Sequence, residues 1–160
     1  VLNKRGAILD GPRVLQAEEG RGKAYLLVPA AESGIGDDIT VSRQDVSEVQ
    51  LAKGAMRAGL NILLHEAGLT EADITRFIIA GAFGSYISLE SGMTIGMLPD
   101  IERDRFAQVG NAAGIGAKQA LLSMERRRTA AELAAKAEYV ELTADGRFTN
   151  EFALTVQLGL

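Results

Sequence analysis

The chain contains no cysteine and no tryptophan, one histidine and three prolines in 160 residues. Without cysteine there is no disulfide frame, no thiolate metal site, no cysteine nucleophile and no iron–sulfur cluster held by this chain. With His65 as the only imidazole, a transition-metal site lacks the nitrogen or sulfur ligands it needs. His65-Glu66 opens like the zinc motif H-E-x-x-H, but the second histidine is missing, and no G-x-S-x-G elbow offers a serine partner. A lone histidine on a helix reads as a surface or boundary residue. Long apolar runs are also lacking. None approaches the ~20 residues of a membrane helix, and no basic-then-apolar leader opens the chain. The formal charge of −4 is mild and lacks the basic excess of a nucleic-acid module.

What remains is an ordinary core composition, 47% hydrophobic and 24% charged, in about one domain's worth of chain. The first residue is Val1, which suggests a fragment of a longer protein. Two stretches stand out. Ile78-Ile79-Ala80-Gly81-Ala82-Phe83-Gly84 is an apolar run that stops at a small-residue turn. Phe106-Ala107-Gln108-Val109 runs into Gly110-Asn111-Ala112-Ala113-Gly114-Ile115-Gly116-Ala117 in the same way. Each reads as a buried strand feeding a helix through a glycine bend. Glycine lets backbone N–H groups approach a ligand at a helix N-terminus. The equally weighted alternative is tight helix–strand packing.

Around these turns the chain divides cleanly. Residues 5–9 and 12–16 flank Asp10-Gly11, a hairpin signal. Residues 23–28 form a third strand closed by Pro29, and 38–41 a short fourth. Ser42 caps a long helix with Asp45 at the capping-box position. Val49, Ala52, Met56, Gly59, Ile62 and Leu63 form its apolar face, kept thin by Ala55 and Gly59, and Gly68 stops it. Thr70 and Asp73 cap a single turn before a strand over 74–80. A short helix near 88–95, a turn at 101–105 and the strand over 106–109 follow. A helix over 112–124 comes next, continued or restarted over 125–136. A strand over 139–142, a turn at Asp145-Gly146 and an amphipathic segment over 148–158 complete the chain. Hairpins followed by alternating strands and helices predict an α/β fold, a mixed sheet with flanking helices, in a single domain over 1–160. Both glycine turns then lie at the carboxyl ends of strands, where ligands collect in open sheets.

Common nucleotide motifs fail. Gly114-Ile115-Gly116-Ala117-Lys118-Gln119 lacks the P-loop spacing and hydroxyl, and Gln119 stands where a dinucleotide fingerprint needs a small residue. Lys53 and Gln50 sit mid-helix in a small-residue stretch. They are either solvent-exposed or polar contacts to a base or ribose. Asn111 either tolerates a left-handed bend or bonds a ligand through its amide. Glu125-Arg126-Arg127-Arg128 reads as a solvated face, because three successive arginines cannot share one side of a helix, with an anion or partner contact as the alternative.

Several motifs occur together in a familiar order: Gln44-Asp45, the stretch from Gln50 to Gly59, Ala80-Gly81-Ala82-Phe83-Gly84-Ser85-Tyr86-Ile87, Ile95-Gly96-Met97-Leu98-Pro99, the second glycine turn and Glu138-Tyr139-Val140-Glu141-Leu142. The set resembles the C-terminal part of the reductive activators of corrinoid proteins. Their ATPase-type domain is of the acetate kinase, sugar kinase, heat-shock chaperone and actin superfamily. The resemblance implies part of the second, ribonuclease H-like lobe of an actin-like domain. The [2Fe–2S] ferredoxin module and the phosphate-loop lobe are absent from this chain. It further implies ATP or ADP with Mg²⁺ in the parent, where ATP drives reduction of Co(II) corrinoid to Co(I). Other implications are a corrinoid protein or methyltransferase partner, a homodimer, a cytoplasmic location, and neither nucleic acid nor membrane. On that resemblance Gly81, Ala82, Phe83 and Gly84 form the adenosine turn. Gly110, Asn111 and Gly114 form a second wall, and Lys53 and Gln50 face the purine or ribose. The competing expectation is a non-catalytic docking or dimerisation module.

Overall fold

The computed structural model describes residues 2–16, 22–81, 84, 86–142 and 144–159. Strands β1 (Val14–Gln16), β2 (Lys23–Val28) and β3 (Ile39–Ser42) make an antiparallel sheet with β2 in the middle. Tyr25 stands between Val14 and Val41, and Ala24 between Leu15 and Ser42. The hairpin expected about Asp10-Gly11 does not form. Residues 5–9 contribute only an isolated Leu2–Ile8 bridge, and β1 pairs with β2 instead. The reason is local. Asn3 Oδ1 accepts the N–H groups of Arg5 and Ala7, both at 3.0 Å, and Gly6 at φ 73° turns the chain back early. The Asp10 carboxylate pairs with Lys23 at 2.6 Å rather than closing a turn.

Helix α1 (Arg43–Glu66) starts where its capping box predicts. Ser42 Oγ accepts the Asp45 N–H at 3.2 Å, and Asp45 Oδ2 takes the Ser42 N–H at 2.8 Å. Its buried face differs from the expected one. Val49, Met56 and Leu63 are each about half exposed, and Ala52 is exposed too. The buried side carries Val46, Gln50, Lys53, Gly54, Arg57, Ala58, Gly59 and Ile62. Helix α5 (Gly146–Thr155) packs along it. A Cβ at Gly54 would stand 3.0 Å from the Val156 Cα, so glycine permits the two backbones to approach. Long polar side chains bury their stems in this seam and send their heads to carbonyl groups. Gln50 Nε2 donates to the Val156 carbonyl at 3.2 Å, and Lys53 Nζ donates to that of Gln157.

Asp145-Gly146 starts α5 rather than making a free turn, since Asp145 Oδ1 accepts the Arg147 N–H at 2.9 Å. The Arg147 guanidinium also reaches Glu66 at 2.5 Å, tying the start of α5 to the end of α1. Residues 139–142 join no strand among the described residues; Tyr139 is exposed, with its hydroxyl on Glu141.

Strands β4 (Phe77–Ala80) and β5 (Phe106–Val109) pair in parallel, with Phe77 opposite Phe106 and Ala80 opposite Val109. Parallel and antiparallel pairing are therefore both present, but in two sheets rather than one mixed sheet. A 3₁₀ turn (Glu71–Asp73) precedes β4, and helix α2 (Leu89–Thr94) and a second 3₁₀ turn (Arg103–Arg105) lie between β4 and β5. After β5 the chain forms α3 (Ala112–Leu122) and, beyond a break at Ser123, α4 (Met124–Lys136). No helix among the described residues is long and apolar enough to cross a membrane.

The seam yields two expectations. Gly54→Val forces a side chain against Val156 and lowers stability by about 1–3 kcal/mol, as overpacking does. Gly116→Ala, on open helix surface with no atom within 4 Å, raises it by about 0.5–1 kcal/mol. Thermal melts of the two variants check both. Hydrogen bonds from the Arg147 guanidinium, then from its backbone N–H, pull the Asp145 carboxyl down to about 2. A depressed carboxylate stabilises the fold above its unfolded pKa of 3.8, and that contribution is lost as pH falls toward 2. Asp145→Asn keeps the cap and removes the charge. Its denaturant midpoint lies below wild type at pH 7, and the gap closes between pH 4 and 2.

Candidate functional site

The parallel register of β4 and β5 carries the chain out of both strands at the same level. The ladder extends one step further, because the Gly81 N–H donates to the Gly110 carbonyl at 2.8 Å. Gly81 has φ 95°, in the left-handed region that favours glycine, and no atom of the described residues lies within 4 Å of where its Cβ would be. The backbone at this strand end therefore borders open space. The Gly84 N–H closes the turn onto the Gly81 carbonyl at 3.1 Å. Gly84 is buried, and a Cβ there would meet the Ile79 carbonyl oxygen at 2.8 Å.

Across from it, Asn111 caps α3. Its φ of −72° is not left-handed, and Oδ1 accepts the Gly114 N–H at 2.8 Å. The αL alternative for Asn111 is thus not adopted. Gly114 makes room for the cap, since a Cβ there would lie 2.5 Å from Asn111 Nδ2. The Ala112 N–H turns back onto the Gly110 carbonyl at 2.7 Å.

The structure thus brings together Gly81, Gly84, Gly110, Asn111 and Gly114. Ala82 and Phe83 lie outside the described residues. Gln50 and Lys53 are engaged at the C-terminal carbonyls in the α1–α5 seam. The solvent-exposed reading of Lys53 is corrected: the residue is 3% exposed. Burial, and then the neighbouring Arg57 cation, push its pKa down.

Two residues that sequence reasoning missed shape this region. Gln108 Nε2 donates to the carbonyls of Gly84 at 2.5 Å and Ile87 at 2.9 Å, clamping the first turn from the second strand. Its signal was an amide in an otherwise apolar four-residue strand. Arg57, buried in α1, pairs with Glu71, whose other oxygen accepts the Asp100 N–H at 3.0 Å. Its Nε and Nη1 have no hydrogen-bond partner among the described residues. The N–H groups of Gly81, Gly84, Ala112 and Gly114 are thus all paired within the two turns, and Asn111 Nδ2 is left without a partner among the described residues. No cluster of three or more His, Cys, Asp or Glu able to hold a metal ion occurs among the described residues.

A family model described as the C-terminal domain of RACo, the ASKHA domain, matches residues 1–159. The corrinoid activation enzyme RamQ of Eubacterium limosum is 34% identical over 167 residues, covering 99% of this chain and 28% of its own length. The [Co(II) methylated amine-specific corrinoid protein] reductase of Methanosarcina barkeri is 27% identical over 125 residues, covering 77% of this chain and 23% of its own. A solved reductive activator for corrinoid, iron-sulfur protein superposes with a TM-score of 0.80 at 36% identity, covering 91% of this chain and 23% of that one. The chain therefore spans about a quarter of the length of the relatives it matches.

The two turns fail differently when altered. Asn111→Ala removes a helix cap and lowers stability by about 1 kcal/mol, while Gly84→Ala drives a methyl group into a backbone carbonyl and lowers it further. Urea midpoints of both variants check the order.

Proposed function

The chain belongs to the family of RACo C-terminal ASKHA domains, and from that membership we propose that it is the adenosine-side portion of an ATP-dependent reductive activator of corrinoid proteins. The observation that carries the reading is the pair of adjacent glycine turns at the carboxyl ends of parallel strands, with open space beside Gly81. An adenosine fits such an edge, because the bare backbone at Gly81 allows close approach and Asn111 Nδ2 has no partner among the described residues. Gly81 and Gly84 stand on one side; Gly110, Asn111 and Gly114 stand on the other. Gln50 and Lys53 hold the C-terminal segment to α1.

Bound ATP supplies the free energy that reduction of Co(II) corrinoid to Co(I) requires. This chain's part is to grip the adenosine end and to hold its two turns in register. A nucleotide shifts the parent between open and closed states only by its differential affinity for them. On this reading the [2Fe–2S] cluster, for which this chain has no cysteine, and the Mg²⁺ and phosphate ligands belong to other parts of the parent. The relatives' names support a corrinoid protein as the partner. The alternative, a docking module with no nucleotide site of its own, is favoured by the uncovered helices α3 and α4.

Calorimetric titration with ATP and ADP separates the two. Binding is expected for both nucleotides in the chain and in its longer parent. Gly81→Val puts a β-branched residue in the left-handed region at a cost of about 1–2 kcal/mol, and should abolish binding while the variant still melts cooperatively. Nucleotide affinity equal to wild type in that variant, or none in the parent, overturns the reading.

A further inference from the structure

Helices α3 and α4 carry a charge and an exposure unlike the rest of the chain. Every residue of α3 except Ala120, and every residue of α4, is exposed. Ile115 is 58% exposed, Leu121 and Leu122 each 74%, and Met124 61%. A helix as apolar as α3 is normally covered. Ser123 ends one helix and caps the next, with its Oγ accepting the Arg126 N–H at 3.2 Å. Arg127 Nε donates back to the Ala120 carbonyl at 3.1 Å, which fixes the corner. The groove inside this corner measures about 470 Å³ and is lined by Ile115, Lys118, Gln119, Leu122, Ser123 and Arg126.

The rim is cationic. Residues 118–128 hold Lys118, Arg126, Arg127 and Arg128 against Glu125, a net charge of +3. The whole chain carries −4, so the remaining residues carry −7. Lys118, Arg126 and Arg128 have no ion-pair partner among the described residues. An apolar floor within a charged rim is the anatomy of a protein–protein contact rather than of a permanently buried core. A second copy docked about a two-fold axis would set this cationic rim against the same rim, because such an interface uses one patch twice. A nucleic acid would find no use for the apolar floor and would be repelled by the remaining −7.

Resting on the reading of the parent as a corrinoid activator, we propose that the α3–α4 groove docks an acidic surface of the corrinoid protein. A leucine or methionine side chain of that surface enters between Ile115 and Leu122, and its carboxylates meet Lys118 and Arg126. Charge pairs at such a rim steer encounter and set partner choice.

The test uses the full-length activator that contains this chain. The probes are a purified corrinoid iron–sulfur protein and a purified methylamine-specific corrinoid protein, each in the Co(II) state. Binding is measured by interferometry at about 50 and 300 mM salt, between which surface charge pairs are increasingly screened. Wild type binds at least one probe and weakens with salt. Lys118→Glu/Arg126→Glu weakens that binding tenfold or more and loses the salt dependence, with its melting temperature and ATP affinity unchanged. Binding within twofold of wild type overturns the proposal. So does slow hydrogen exchange across the exposed side of α3 in the activator alone, which would mean its own chain covers the groove. A changed oligomeric state in the double variant overturns it in favour of a second copy. Docking that persists without any ATP binding overturns the nucleotide reading alone.

Discussion

The fold depends on a helix that buries its polar side. Gln50, Lys53 and Arg57 are each at most 5% exposed on the same stripe of α1. A buried cation costs several kcal/mol unless a partner takes its charge. The partners are supplied by distant segments: the Val156 and Gln157 carbonyls from the end of the chain and Glu71 from the turn after α1. Glu71 in turn holds the Asp100 N–H, close before β5. One helix therefore fixes three otherwise separate stretches. The contacts demand directional donors and acceptors, so the seam specifies a register along α1 that an apolar stripe would leave looser.

That specification reaches the turns through the start of the parallel sheet. Arg105 Nη1 donates to the carbonyls of Ala72 at 3.2 Å and Ile74 at 3.0 Å, joining the lead-in of β4 to that of β5. The rings of Phe77 and Phe106 meet at 5.4 Å immediately afterwards. Register set at the strand entrances is preserved over four residues, and the Gly81–Gly110 bond records it at the exits. The glycine turns are adjacent because the strands that lead into them are tied at the other end.

Local signals were legible in the sequence, and long-range partners were not. The Ser42–Asp45 box, the limits of β2 and β5, and the turn from β5 into α3 follow from short-range chemistry and appear where expected, but β4 and β5 are not the buried strands expected, since neither carries a buried residue. Gly59 was read as a spacer for close approach, and a Cβ there would stand 3.2 Å from Leu142 Cδ1, but the glycine that clears α5, Gly54, was not singled out, and the Asn111 cap that Gly114 clears was invisible. Of the expected α1 face Gly59 and Ile62 are buried, and the rest was misassigned because apolar periodicity assumes that hydrophobic residues face inward. Here Val49, Met56 and Leu63 look outward while cations with carbonyl partners look in. Nothing within ten residues of Lys53 announces Gln157. The strand expected at 139–142 pairs with no other strand among the described residues, because β-propensity alone supplies no pairing partner.

A glycine turn permits a shape without populating it. Two parallel strands alone are marginal, and this pair leaves Ile78 57% and Val109 37% exposed. Free glycine backbone samples many conformations, and a ligand's apparent affinity falls by the fraction of time its site is competent. The groups that raise that fraction are the side chains bridging the turns. Gln108 holds the Gly84 and Ile87 carbonyls from β5, and Asn111 holds the first turn of α3. Gln108 thus belongs to the candidate site as fully as Gly81 does. The glycine makes room at the strand end, and the amide keeps the room in one shape.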